Sequence, residues 1–266
     1  MISVLVIALV LAGTGALGSR IGREAWTVLK ADVPVFTSAD IEAAAGEGIM
    51  VGLLGGFRAV TADFLWVRTN AVWEEQDLPG AQTLIRLVTT VDSRPLIFWV
   101  NGARMIGYDM PVWRIDAAAR GGADVPAVVQ TRIYHEQAMA ALAVLERARS
   151  HHPGEPLLLI EMANLRQRKL GDLAGAAELY RRAAHMPGAP FYAARIYGEM
   201  LKQLGRERDA YAWLVEVHRG LPQGNAMAMA DIVLGRIRDL EERLNVPASE
   251  RYVPTKGEDA RSDYVR

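Results

Sequence analysis

The stretch GDLAGAAELYRRAAHMPG, residues 171–188, decides the fold, because GRERDAYAWLVEVHRGLP, residues 205–222, repeats its framework 34 residues later. Gly171 aligns with Gly205, Ala176 with Ala210, Tyr180 with Leu214, Ala183 with Val217 and Gly188 with Pro222. Within each copy the three apolar positions are spaced by four and then three residues, which places them on one face of an α-helix. The small residue at the head of the stripe lets a neighbouring helix come close. The glycine or proline behind the stripe stops the helix.

Working outward, the same internal spacing recurs at Ala141, Leu145, Ala148 and Pro153, and again at Ala81, Ile85, Val88 and Ser93. A further helix precedes each of the two best copies, over residues 157–170 and 191–204. Gly171 and Gly205 are then the tight turns of two antiparallel helix pairs. A fixed period of this length is the mark of stacked helical repeats.

The unit resembles the tetratricopeptide repeat family. Its matching positions are Gly171, Asp172, Ala176, Tyr180 and Ala183 in one copy, and Gly198, Gly205, Ala210, Leu214 and Pro222 in the next. These two copies span residues 154–222. The pairs over residues 57–153 are degenerate, with an expected insertion at 108–123 that holds Pro111. Residues 57–110 also look like those of bacterial membrane-anchored proteins of this family. The resemblance implies an all-α, right-handed solenoid of about four helix pairs, closed by a capping helix over residues 223–246.

In the family the first helix of each pair lines a groove. The resemblance assigns that groove to Leu158, Glu161, Leu165, Arg168 and Lys169, and to Tyr192, Arg195, Glu199, Lys202 and Gln203. Such a mixed surface suits an extended peptide or a partner helix. The family's lysine–asparagine clamp for chaperone tails is not matched at Glu161, Leu165, Arg195 and Glu199.

Residues 2–18, ISVLVIALVLAGTGALG, form an uncharged apolar run at the lower length limit for a membrane helix. Residues 1–19 are therefore expected to be a transmembrane anchor or a signal segment, and residues 20–56 a juxtamembrane connector with a short helix. Ala16, Leu17 and Gly18 before Ser19 fit a signal-peptidase site, whereas Arg20, Arg23 and Lys30 would favour a cytoplasmic flank. The expectation leans to a single-pass membrane protein with its folded part on the extracytoplasmic side. Residues 49–67 form a second apolar run, but Arg58 and Asp63 within it favour a folded helix starting near Gly55 and Gly56 over a membrane hairpin.

Residues 225–245 are expected to form one helix, with Met227, Ile232, Val233, Leu234, Ile237, Leu240 and Leu244 inside and Arg236, Arg238, Asp239 and Glu241 outside. Residues 247–266 are polar and expected to be disordered.

Chemistry leaves few traces. No cysteine occurs, so thiolate chemistry and disulfides are excluded. A net charge of −1 gives no global attraction to nucleic acid. His151 and His152 lie at a helix end, His135 lacks a partner histidine four residues away, and His185 and His218 sit at equivalent repeat ends, where helix capping is the expected role. Trp66, Trp73, Trp99 and Trp113 are expected to fill the core, the alternative being an aromatic ligand pocket. The sequence thus points to a binding scaffold with no cofactor, no metal and no catalytic group, working on protein partners at a membrane. One alternative is a structural homo-oligomeric subunit of a membrane complex, and another is a ligand-binding or enzymatic helical protein using the aromatic N-terminal region.

Overall fold

The computed structural model describes residues 56–120, 124–222 and 224–254, and it is helical throughout them, with no strand. The expected anchor, its connector and the short helix near residue 42 lie outside the described residues. None of the described helices is long and apolar enough to cross a membrane. The chain divides into two compact units, the first ending at Phe98 and the second starting at Trp99.

In the first unit α1 (Arg58–Glu74) and α2 (Leu78–Val91) pack side by side. The start of α1 falls where the two glycines predict it. Asp77 begins α2, its carboxylate accepting from the Gly80 N–H at 3.1 Å, and Pro79 sits in the first turn, where a missing N–H costs nothing. Ala62, Leu65, Leu84, Leu87, Val88, Val91 and Phe98 form the core, with Trp66 and Val72 packed against it. The Arg58 Nε–H donates to the Val91 carbonyl at 2.9 Å, so one of the two charges in this apolar run ties the helices together.

The second unit opens within α3 (Leu96–Arg104) and continues through a π-helical turn (Met105–Asp109) and α4 (Met110–Ala119). The stretch expected to be an insertion is therefore largely helix. Pro111 cannot donate to a carbonyl one turn back, and the backbone widens just before it: the Met110 N–H bonds to the Met105 carbonyl, five residues earlier. The π turn absorbs a proline that would otherwise break the helix.

Next come α5 (Ala127–His151), α6 (Pro156–Leu170), α7 (Leu173–Ala184), α8 (Phe191–Gln203) and α9 (Glu207–Gly220). A 3₁₀ turn (Ala226–Ala228) and α10 (Ala230–Arg243) close the unit. Each of α5 to α10 packs against its neighbours in sequence, and α6 with α7 is the most extensive pair. Gly171 and Gly205 adopt φ of 66° and 73°, the left-handed conformation that lets two helices meet through a connector of a few residues. Ala176, Tyr180, Ala183, Ala210, Leu214 and Val217, the repeated stripe, are all buried.

The C-terminal end corrects four expectations. Met229 takes a left-handed conformation (φ 50°), so the expected single helix breaks into the 3₁₀ turn and α10; Asn225 holds the break by accepting from the Met227 N–H at 2.9 Å. Met227 and Ile232 are exposed as a result, not inside. Glu241 is fully buried, not outside, and its carboxylate accepts from the Tyr252 N–H at 2.7 Å and from Arg238 Nη1 at 2.7 Å. Residues 247–254 are accordingly ordered against α9 and α10, with Tyr252 buried and its hydroxyl 3.0 Å from His218 Nδ1. A buried carboxylate needs its donors, and the chain past Pro247 supplies one. Residues 255–266 lie outside the described residues.

Candidate functional site

The candidate site forms around Glu161, on the second turn of α6. Pro156 fixes the start of that helix, and its apolar residues Leu158, Leu159, Ile160 and Met162 are buried on several sides. Glu161 is buried with them, and a carboxylate so placed requires a charged partner. Arg104, at the end of α3, supplies it: both carboxylate oxygens accept from the guanidinium, Nε to Oε2 at 3.2 Å and Nη2 to Oε1. The hydrogen bond to Glu161 holds the Arg104 guanidinium above its ordinary range. The outer part of the Arg104 side chain remains half exposed.

Three tyrosines lie within reach of the Glu161 charge. Tyr108 comes from the π turn, Tyr180 from α7 and Tyr192 from the first turn of α8. Burial raises all three phenols, Tyr180 to about 12, so they stay neutral donors across the physiological range. The Tyr180 hydroxyl donates to Asn164 Oδ1 at 2.8 Å. Tyr192 is exposed and Tyr108 half-buried.

Two cations complete the cluster. Arg168 is exposed, close enough to Tyr108 and Tyr180 to influence both, and makes no ion pair among the described residues. The Lys169 ammonium sits 4.6 Å from the ring centre of Tyr134 and 5.0 Å from that of Tyr108, a double cation–π contact. Burial lowers the Lys169 ammonium, with Asp109 acting in the opposite sense.

Close approach of the π turn to α5 and α6 depends on Gly107. A Cβ there would lie 2.5 Å from Leu165 Cδ2 and 3.2 Å from the Ala141 Cβ. The glycine lets the chain carry Arg104 and Tyr108 right up to α6.

Of the residues assigned to a groove by the repeat resemblance, Glu161, Arg168, Lys169 and Tyr192 meet in this cluster. Leu158 and Leu165 do not contribute surface: both are buried in the core, at 0% and 1% exposure. Arg195 is engaged elsewhere, donating to the Ala228 carbonyl at 3.0 Å and the Met227 carbonyl at 3.3 Å, so that it holds the 3₁₀ turn. Glu199 and Lys202 pair with each other at 3.1 Å. Gln203 is exposed at the end of α8. Arg104, Tyr108, Tyr134 and Tyr180 were not assigned to a site from sequence. Arg104, Tyr108 and Tyr134 lie outside the clear repeats, where no period marks them, and Tyr180 reads as a core position.

Three of the four tryptophans expected in the core pack there, and Trp73 does not. Trp99 and Trp113 are buried, Trp66 packs on Phe98 with centroids 5.2 Å apart, and Trp73 is exposed. His151 stacks on Trp99. His185 ends α7 with Nδ1 2.7 Å from the Arg181 carbonyl, as a capping role requires, whereas His218 meets Tyr252 instead. Among the described residues no cluster of three or more histidine, aspartate or glutamate side chains is placed to hold a metal ion.

An open cavity of about 400 Å³ lies between the ends of α5, α6 and α7, lined by Arg149, Glu155, Arg181, Arg182 and His185. Its positive character is largely spent. Glu146 holds Arg149 at 2.9 Å, Glu178 holds Arg181 at 2.7 Å, and the Glu155 carboxylate lines the cavity itself.

No protein-family model matches the chain, and no curated protein matches it in sequence.

Proposed function

We propose that this chain is a non-enzymatic, membrane-tethered helical solenoid of the tetratricopeptide type, and that its Arg104–Tyr108–Arg168–Lys169–Tyr192 surface binds an extended segment of a protein partner. The single observation that carries the reading is the convergence of three repeat positions, Arg168, Lys169 and Tyr192, with Arg104 and Tyr108 beside a fourth, the buried carboxylate of Glu161. The neighbour-to-neighbour packing of α5 to α10 and the 34-residue stride of the two glycine turns support the solenoid. The apolar run at residues 2–18 supports the tether, with the folded part on the extracytoplasmic side.

The chemistry of the surface specifies the partner. Glu161 spends its charge on Arg104, which leaves Arg168 without an ion pair among the described residues and Lys169 facing two rings. Neutral phenols beside these cations donate hydrogen bonds and offer flat apolar faces. An extended segment bearing an aspartate or glutamate meets both demands. Since Tyr108 is half-buried and the Arg104 guanidinium is held by Glu161, less ordering entropy opposes binding than on a loop surface.

The test is recovery of partners from solubilised membranes with the full-length chain. Arg168→Glu is expected to cut recovery of the specific partner about tenfold, as charge reversal at the centre of a complementary surface does. Arg208→Glu, on the exposed side of α9, is expected to leave it unchanged. Equal recovery with both variants would overturn the assignment.

A further inference from the structure

The apolar side of α1 that faces away from α2 has no occupant among the described residues. Thr61, Ala62, Leu65 and Thr69 are buried on the α2 side, whereas Phe57, Val60, Phe64 and Val67 are each more than half exposed, and Ala71 is exposed beside them. Their spacing is three, four, three and four residues. That is the a/d pattern of a coiled-coil seam, narrower than the stripe by which a helix packs on a globular core. In sequence the same alternation runs back through Leu53 and Met50.

The charges beside the seam choose the occupant. With Phe57, Phe64 and Ala71 at a and Val60 and Val67 at d, Asp63 takes a g position and Arg68 the following e position. Both are exposed, and neither makes an ion pair among the described residues. In a parallel pair of helices each g residue faces the partner's e residue five positions further on. Asp63 would therefore meet the partner's Arg68, twice by symmetry. An antiparallel pair sets g edges against g edges and e edges against e edges, so Asp63 and the partner's Arg68 would lie on opposite sides of the seam and could not pair. A lipid surface would account for apolar exposure but not for the strict alternation or the paired opposite charges.

We infer that the exposed face of α1 is a self-association surface on which a second copy of this chain packs in parallel through Phe57, Val60, Phe64 and Val67, with Asp63 and Arg68 fixing the sense. Parallel pairing brings both chain starts to one end, as two copies tethered in one bilayer require, and shared tethering raises the local concentration that a short seam needs. The inference stands independently of the partner surface on the second unit.

The natural chain has no cysteine, so single cysteines report directly. Val60→Cys and Val67→Cys are placed separately in the full-length chain in its membrane and oxidised, with Ala59→Cys, exposed on another side of α1, as control. Disulfide-linked dimers are expected from both seam positions and only at background from Ala59→Cys. Asp63→Arg is expected to lower the Val60→Cys yield about fivefold, and adding Arg68→Asp to restore it. Crosslinking at neither seam position, at only one of them, or equally at Ala59→Cys would overturn the inference, as would a charge swap that fails to restore the yield. A lipid-facing helix gives the first of these outcomes, and an antiparallel pair the first or the second, since at most one of the two positions can then meet its own copy.

Discussion

At Gly198, in the middle of α8, a Cβ would lie 2.8 Å from Leu214 Cδ2 and 3.1 Å from Leu214 Cγ. Alanine improves helix propensity by about 1 kcal/mol, while forced overpacking against a fully buried leucine costs about 1–3 kcal/mol. Overpacking wins. Gly198→Ala is expected to destabilise the fold by about 1 kcal/mol net, read from urea unfolding. Gly235, inside α10, has no heavy atom near the same point, so Gly235→Ala is expected to stabilise by about 0.5–1 kcal/mol in that measurement. Two glycines in helices thus give opposite signs. Asp172 gives a pH signature. Its carboxylate accepts from the Gly175 N–H at 2.8 Å and from Arg166 Nη1 at 2.7 Å, and these bonds, the backbone one first, hold it below the usual carboxylate range. A lowered folded value means that its contribution is complete above the unfolded value of about 3.9 and disappears as pH falls through the lower folded value. Asp172→Asn is expected to flatten the loss of stability between about pH 5 and pH 2.

Helices and turns show what a sequence can and cannot reveal. Residues 171 and 205 could be read because a left-handed glycine behind an amphipathic run has few other roles. The buried stripe from Ala176 to Val217 followed for the same reason. Pro111 misled, since a proline normally ends a helix and nothing local announces that a π turn will accommodate it. Glu241 and residues 247–254 misled together: a glutamate on a charged helix face and a polar tail look solvated unless their mutual bond is known. That bond makes a prediction. Tyr252→Ala removes a buried ring and its contact with His218, and is expected to cost about 3 kcal/mol in unfolding free energy, whereas a disordered tail would tolerate it without effect. Ending the chain at residue 247 removes the Tyr252 N–H as well and is expected to cost more, because a fully buried carboxylate then loses a donor.

Over the whole second unit, a local helical stride gathers residues far apart in sequence. Arg104 and Glu161 meet across more than fifty positions, and Tyr108, Tyr180 and Tyr192 surround them. The repeat resemblance picks out the α6 and α8 members of that group but says nothing of the π turn, whose place is set by Gly107 lying against Leu165. Half of the site was therefore legible only through that resemblance, and the other half depends on tertiary packing. Leu158 and Leu165 mark the limit from the other side: counting repeat positions assigns them to an open surface, yet α6 is covered on several sides and buries them. The central claim is that Arg104, Tyr108, Arg168, Lys169 and Tyr192 form the partner surface. Its most direct test places a photo-reactive side chain at position 192, and in a control at position 208, in the full-length chain in its native membrane. The account predicts one discrete protein adduct at position 192 that Arg168→Glu abolishes, and none at position 208; no adduct at position 192, or the same adduct at both positions, would contradict it.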